Sequence, residues 1–132
     1  MELAEMKTKA AAFYDFFSSF GMNAYEENSV PSDEDGGPEF PYITYELITD
    51  EFGDEVPITF STWHRSESWT EANAKAEEIS ERIGRGGIFL ECKGGAIWIK
   101  RGSPFATRRG DDSDRLVKRV YFNISVEFLT EG

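Results

Sequence analysis

Cysteine and histidine are nearly missing from this chain. Cys92 is the one cysteine among 132 residues, which excludes an intramolecular disulfide framework. His64 is the one histidine, so any His–Asp–Ser or Cys–His mechanism would have to use it. Too few of both remain for a zinc site built of His and Cys. No apolar run approaches the roughly 18 residues of a membrane span. The opening stretch MELAEMKTKAAAFYDFF places acids before its lysines and has no small-residue cleavage site, so it does not read as a secretory leader. Bases are also scarce: the net charge is −11, which disfavours non-specific binding to nucleic acid.

What is present is apolar bulk and unevenly placed charge. Apolar residues make up 39% of the chain and aromatics 14%, with 11 Phe, enough for a core in one domain over residues 1–132. Residues 1–81 carry 19 acids and four bases, whereas residues 82–119 carry ten bases and four acids. A body folded from such a chain can present one acidic and one basic surface, and copies of it can meet head to tail. The alternative is a chance sorting of charge into solvated faces.

Periodicity supplies the elements. Leu3, Met6, Ala10, Phe13, Phe17 and Phe20 recur at steps of three and four, the stripe of an amphipathic helix over about residues 2–20 that stops at Gly21. These Phe residues read as core. EENSVPSDEDGGPEFP (26–41) reads as a flexible acidic loop. Its Asp33-Glu34-Asp35-Gly36 fails as a calcium loop, because Pro38 and Thr44 fall where ligands are needed. YITYELIT (42–49) and PITFSTWH (57–64) read as an antiparallel hairpin turning at DEFGDE. Ser68 and Glu71 have the spacing of a capping box ahead of a second helix, with Trp69, Ala72, Ala76, Ile79 and Ile83 as its buried stripe. Glu71, Lys75, Glu78 and Arg82 have the spacings of weak ion pairs on its polar face.

IFLECKGGAIWIK (88–100) reads as two strands around a Lys93-Gly94-Gly95 turn. Its glycines lead into a strand and not a helix, so they do not form a phosphate loop. Residues 102–114 read as a second flexible loop. The final strand, about Leu116 to Leu129, turns Val120, Phe122, Ile124, Val126 and Phe128 to one side, and Tyr121, Asn123, Ser125 and Glu127 to the other. The expected class is α+β: an antiparallel or mixed sheet of about five to six strands packed against two helices, in the order α-β-β-α-β-β-β.

No catalytic residue, metal site or cofactor site stands out. His64 reads as a surface residue at a strand end, and Cys92 beside Glu91 sits where a thiolate is not favoured. With 25 acids, a catalytic carboxylate pair stays open, but nothing singles one out. Arg109-Gly110-Asp111 matches an adhesion tripeptide that is too short to carry meaning. Asp111, Asp112 and Asp114 could grip a cation, but Arg108, Arg109 and Arg115 crowd them, which favours an ion-pair network within or between subunits. Arg101, Arg108, Arg109, Asp111, Asp112, Asp114 and Arg115 are therefore the candidate contact residues. An ordinary solvated loop is the other reading of this stretch.

Three stretches carry a family resemblance: PYITYELITDEFGDEVPITFSTWHRSESWTEANAKAEEISERI, FLECKGGAIWIKRGSPFATRRGDDSD and RLVKRVYFNISVEFL. In these stretches and in element order the chain resembles the tail terminator family of long-tailed bacteriophages, also labelled minor capsid or tail completion proteins. The resemblance implies a structural virion protein made in the host cytoplasm and not an enzyme. It implies a ring, six copies in the family pattern, that caps the tail tube, ends its polymerisation and presents a face to the head-completion or neck protein. DNA would pass through such a ring without specific binding, and neither a membrane nor a cofactor is implied. Two alternatives stay open: a head-completion or connector protein of the same neck, and a small cytoplasmic binding domain.

Overall fold

A computed structural model describes residues 7–46 and 55–130. The elements in chain order are helix α1 (Lys9–Ser18), strand β1 (Asn23–Glu26), a 3-10 turn (Asp33–Asp35), β2 (Tyr42–Tyr45), β3 (Val56–Arg65), helix α2 (Thr70–Ile83), β4 (Ile88–Cys92), β5 (Gly95–Gly110) and β6 (Val117–Thr130). They form one six-stranded mixed sheet, ordered β1-β2-β3-β6-β5-β4, with two helices: an α+β fold. Only β1 and β2 run parallel; every other neighbouring pair is antiparallel.

The period-two alternation of the last strand determines which face is buried. Val120, Phe122, Ile124, Val126 and Phe128 are each no more than 3% exposed. Register carries that face across the sheet, with Phe60 opposite Phe122 and Ile58 opposite Ile124 on β3, and Ile97 and Ile99 opposite Phe128 and Val126 on β5. Helix α1 covers it with Phe13, Phe16 and Phe17, and α2 with Ala72, Ile79 and Ile83. Phe17 stacks on Tyr45 at 4.5 Å between ring centroids and lies 4.9 Å from Phe60, which stacks on Phe122 at 4.5 Å. Each such ring fully buried is worth about 1.5–3 kcal/mol before entropy is counted.

Several expectations need correction. Helix α1 begins at Lys9 behind Thr8, whose Oγ1 accepts a hydrogen bond from the Ala11 amide at 3.1 Å. Ala10 is exposed; Phe16 takes its place in the stripe, while Leu3 and Met6 lie outside the described residues. Gly21 takes a left-handed φ of 81°, but it does not cap the helix, which ends at Ser18 with Ser19 as its C-cap. The DEFGDE turn also lies outside the described residues, apart from Glu55, but β2 and β3 pair antiparallel as expected. Strand β1 is an addition to the expected elements: four residues carry little periodicity, and what makes them a strand is parallel pairing to β2. The capping box does not form. Helix α2 starts at Thr70, and Ser68 Oγ accepts from the Thr70 amide at 3.3 Å in a local turn ahead of the helix. On the polar face, Lys75 pairs with Glu78 at 3.0 Å, while Arg82 instead donates to Ser19 Oγ and covers the Phe20 ring.

The largest difference concerns residues 102–114. Residues 102–110 are strand and not loop: β5 continues to Gly110, paired with β6, and the loop is confined to Asp111–Leu116, which connects the two strands. A bulge falls between Arg101 and Ala106, spanning the cis Ser103–Pro104 bond. Asn123 holds this bulge, donating through Nδ2 to the Pro104 carbonyl at 3.0 Å. Gly102 lies so close to Asn123 that a Cβ there would come within 2.9 Å of the Asn123 carbonyl oxygen. Phe105 then returns to the core edge-on to Phe122 at 5.3 Å. Glycine, proline and polar residues suggest a loop locally, but pairing with a secure neighbouring strand overrides that preference.

Candidate contact face

Helices α1 and α2 both cover the inner side of the sheet, and among the described residues no helix covers the outer side of β2, β3, β6 and β5. Alternation places Tyr42, Trp63, Arg119, Tyr121 and Arg109 there. Tyr42 and Trp63 stand opposite each other across β2 and β3, stacked at 5.8 Å and 9°. Phe40 and Tyr25 close around Tyr42 at 5.2 and 6.1 Å. Trp63 Nε1 donates to Thr44 Oγ1 at 2.9 Å, which fixes the indole. The Arg119 guanidinium lies 4.6 Å from the Trp63 ring centre and 5.2 Å from that of Tyr121, and Arg109 lies 4.9 Å from the Tyr121 centre. The result is a ladder of alternating rings and cations. A depression of about 500 Å³ lies at its basic end, lined by Trp63, Arg109, Arg119, Asp111, Asp112 and Ser113 among others.

The seven residues singled out from sequence do not form one network. Arg101 and Arg108 face the helical side, Arg101 donating to Ser80 Oγ at 2.9 Å and Arg108 covering Trp69 at 5.3 Å. Lys118 is 8% exposed, donates to the Arg115 carbonyl, and approaches the same Trp69 ring at 5.7 Å. Asp111 accepts from both the amide and the hydroxyl of Ser113, and these bonds hold its carboxyl below the usual range. Asp114 is held low first by the Leu116 amide and then by Arg65, its ion-pair partner at 3.1 Å. Arg115 pairs with Glu67 at 3.1 Å, with both side chains mostly exposed. Asp112 lines the depression. The ion pairs found here thus reach back to the end of β3 and the turn before α2, instead of linking arginines and aspartates within the connector.

Arg119 and Trp63 escape the reading of the sequence, although their signal is present in it. The alternation that buries Phe122 must turn Arg119 and Tyr121 outward. What the sequence does not reveal is that Arg109 is their neighbour, since that depends on β5 pairing with β6.

His64 corrects another expectation. It is 3% exposed, because the inner register of β3 that buries Phe60 and Thr62 continues to it. Burial pushes its pKa down, with Glu71 opposing and Lys75 adding to the effect. Cys92 is fully buried, and burial pushes its thiol pKa up, away from the reactive thiolate. Among the described residues, no group of three His, Cys, Asp or Glu side chains is placed to hold a metal ion, and no helix is long and apolar enough to cross a membrane.

No protein-family model matches the chain, no curated protein matches it in sequence, and no solved structure matches it.

Proposed function

We propose that this protein is a structural component of a phage tail: a subunit of a ring, six copies in the family pattern, that caps the tail tube, ends its growth and offers a joining surface to the neck of the head. The observation that supports it most is the placement of charge along the outer face of the sheet. On that face Arg109 and Arg119 stand together on β5 and β6. The exposed acids Asp33, Glu34 and Glu39 lie at the other edge of the sheet, between β1 and β2. From β2 to β5 is three strand spacings, about 14 Å. On the helical side the signs are mixed: exposed Glu71, Glu77, Glu78 and Glu81 of α2 share it with Arg101 and Arg108.

A closed ring needs a heterologous contact, in which one patch of each copy meets a different patch of the next. Two patches of opposite sign on one subunit supply that contact, and they steer identical copies into one register. An acidic lumen would repel passing DNA and not retain it. In this role the protein acts through its surfaces, and a buried His64 and a buried Cys92 serve the core.

The test is to add purified protein to growing tail tubes and measure tube length by electron microscopy, alongside tails from phage lacking the gene. Rings at one tube end with arrested growth, and overlong tails without the gene, are expected. Tubes that elongate unchanged in its presence would overturn the reading, and binding to the head-side connector alone would move the protein to the other side of the joint.

A further inference from the structure

Arg109 and Arg119 stand directly opposite each other on β5 and β6. Like charges in that position destabilise a sheet unless something lies between or above them. Among the described residues no carboxylate answers them: neither takes part in an ion pair, and the hydrogen bond that anchors the pair runs from Arg119 Nε to the neutral Ser61 Oγ at 3.0 Å. Their flat faces are already used by Trp63 and Tyr121. Among the described residues their remaining guanidinium N–H groups make no hydrogen bond, and such groups match the in-plane oxygens of a carboxylate or phosphate. Burial first, and after it the charge of Arg109, lowers the Arg119 guanidinium pKa from its ordinary value.

The occupant follows from the rest of the same face. A nucleic-acid strand would need free aromatic faces for its bases, but here guanidinium groups occupy those of Trp63 and Tyr121, and the chain carries a net −11. Carboxylates on an otherwise small contact fit better, and this chain provides them at the far end of the ladder. Burial first raises the Tyr42 phenol pKa, Arg119 opposes it and Asp33 adds to it, which puts Asp33 at the Tyr42 end of the ladder, and Glu34 beside it is exposed. We propose that Arg109 and Arg119 form a carboxylate-binding site that receives the Asp33–Glu34 turn of a second copy. This rests on the ring reading and names the contact through which copies would join.

Sedimentation velocity with charge-swapped variants tests it. Arg109→Glu alone, and Asp33→Lys with Glu34→Lys, should each weaken self-association about tenfold or more, with circular dichroism as in the wild type and a melting temperature no lower than the wild type's, since a carboxylate at position 109 would relieve the cross-strand repulsion of Arg119. Mixing the two variants should restore association, because the carboxylate introduced on one copy then meets the lysines introduced on the other. Rising salt should weaken the wild-type assembly. If the wild type assembles and either variant assembles equally well, or if the mixture fails to recover, the proposed contact is wrong while the ring reading stands. If the wild type stays monomeric even with tail tubes present, both fall. Tighter binding of a single-stranded oligonucleotide than of a second copy, lost in Arg109→Glu, would overturn the assignment in favour of nucleic acid.

Discussion

β3 and β6 each present two faces, and the two faces are built on opposite physics. Inward, Ile58, Phe60, Phe122 and Ile124 meet the helices and are at most 2% exposed. Outward, the same strands carry Trp63, Arg119 and Tyr121, half-buried, with their rings covered by cations and not by another layer of protein. The inner face is satisfied within one copy of the chain. The outer face is satisfied in its apolar parts but not in its charge, and unsatisfied charge at a well-ordered position is what a partner can use. Stability and association should therefore separate cleanly between the faces.

The sharpest test of that separation is truncation on the inner side. Phe122→Ala removes the ring between Phe60 and Phe105 and should cost about 3–5 kcal/mol in denaturant unfolding. A backbone change comes next. Gly87 holds a φ of 87°, and a Cβ there would stand 2.5 Å from the Ile99 carbonyl oxygen, so Gly87→Ala should lose about 1–3 kcal/mol with little effect on association once folded.

His64 links the inner face to pH. Its folded pKa lies below the unfolded value, so the unfolded chain binds the proton more readily. Its contribution to stability is complete above about pH 6.5 and is lost as pH falls from there towards the folded pKa. Urea midpoints at pH 7.5 and 5.5 should differ in the wild type, and His64→Leu should flatten that difference. Asp111 and Asp114, with depressed carboxyl pKa values, act only at lower pH. The smallest effect should come from Arg115→Ala. It removes an exposed ion pair with Glu67, and the melting temperature should stay within error of the wild type. An equally small stability change in Phe122→Ala, or a collapse of folding in Arg115→Ala, would erase the contrast between the two faces.

Legibility follows the same division. The inner face can be read because burial imposes a period on the chain: five apolar residues in step along β6, and Ala72, Ile79 and Ile83 along α2. Where burial is two-sided or hydrogen bonding replaces it, the reading fails. His64 looks like a strand-end surface residue until β3 is seen to run on beneath α2. Residues 102–110 look like loop, because Gly102, Pro104 and the exposed arginines show no period. Their backbone partners are on β6, and pairing between strands leaves no mark in local composition.

The sequence by itself determined the α+β class, the core face of the last strand and the uneven placement of charge along the chain, because each is written in composition or in a repeat of two or 3.6 residues. Only the tertiary structure decided that Arg109 lies opposite Arg119, that Trp63 and Tyr121 cover these arginines, and that the acidic turn joins β1 and β2 at the β1 edge of the same sheet. Those are relations between residues far apart in the chain, chosen by strand order and register, and a linear pattern holds no record of either.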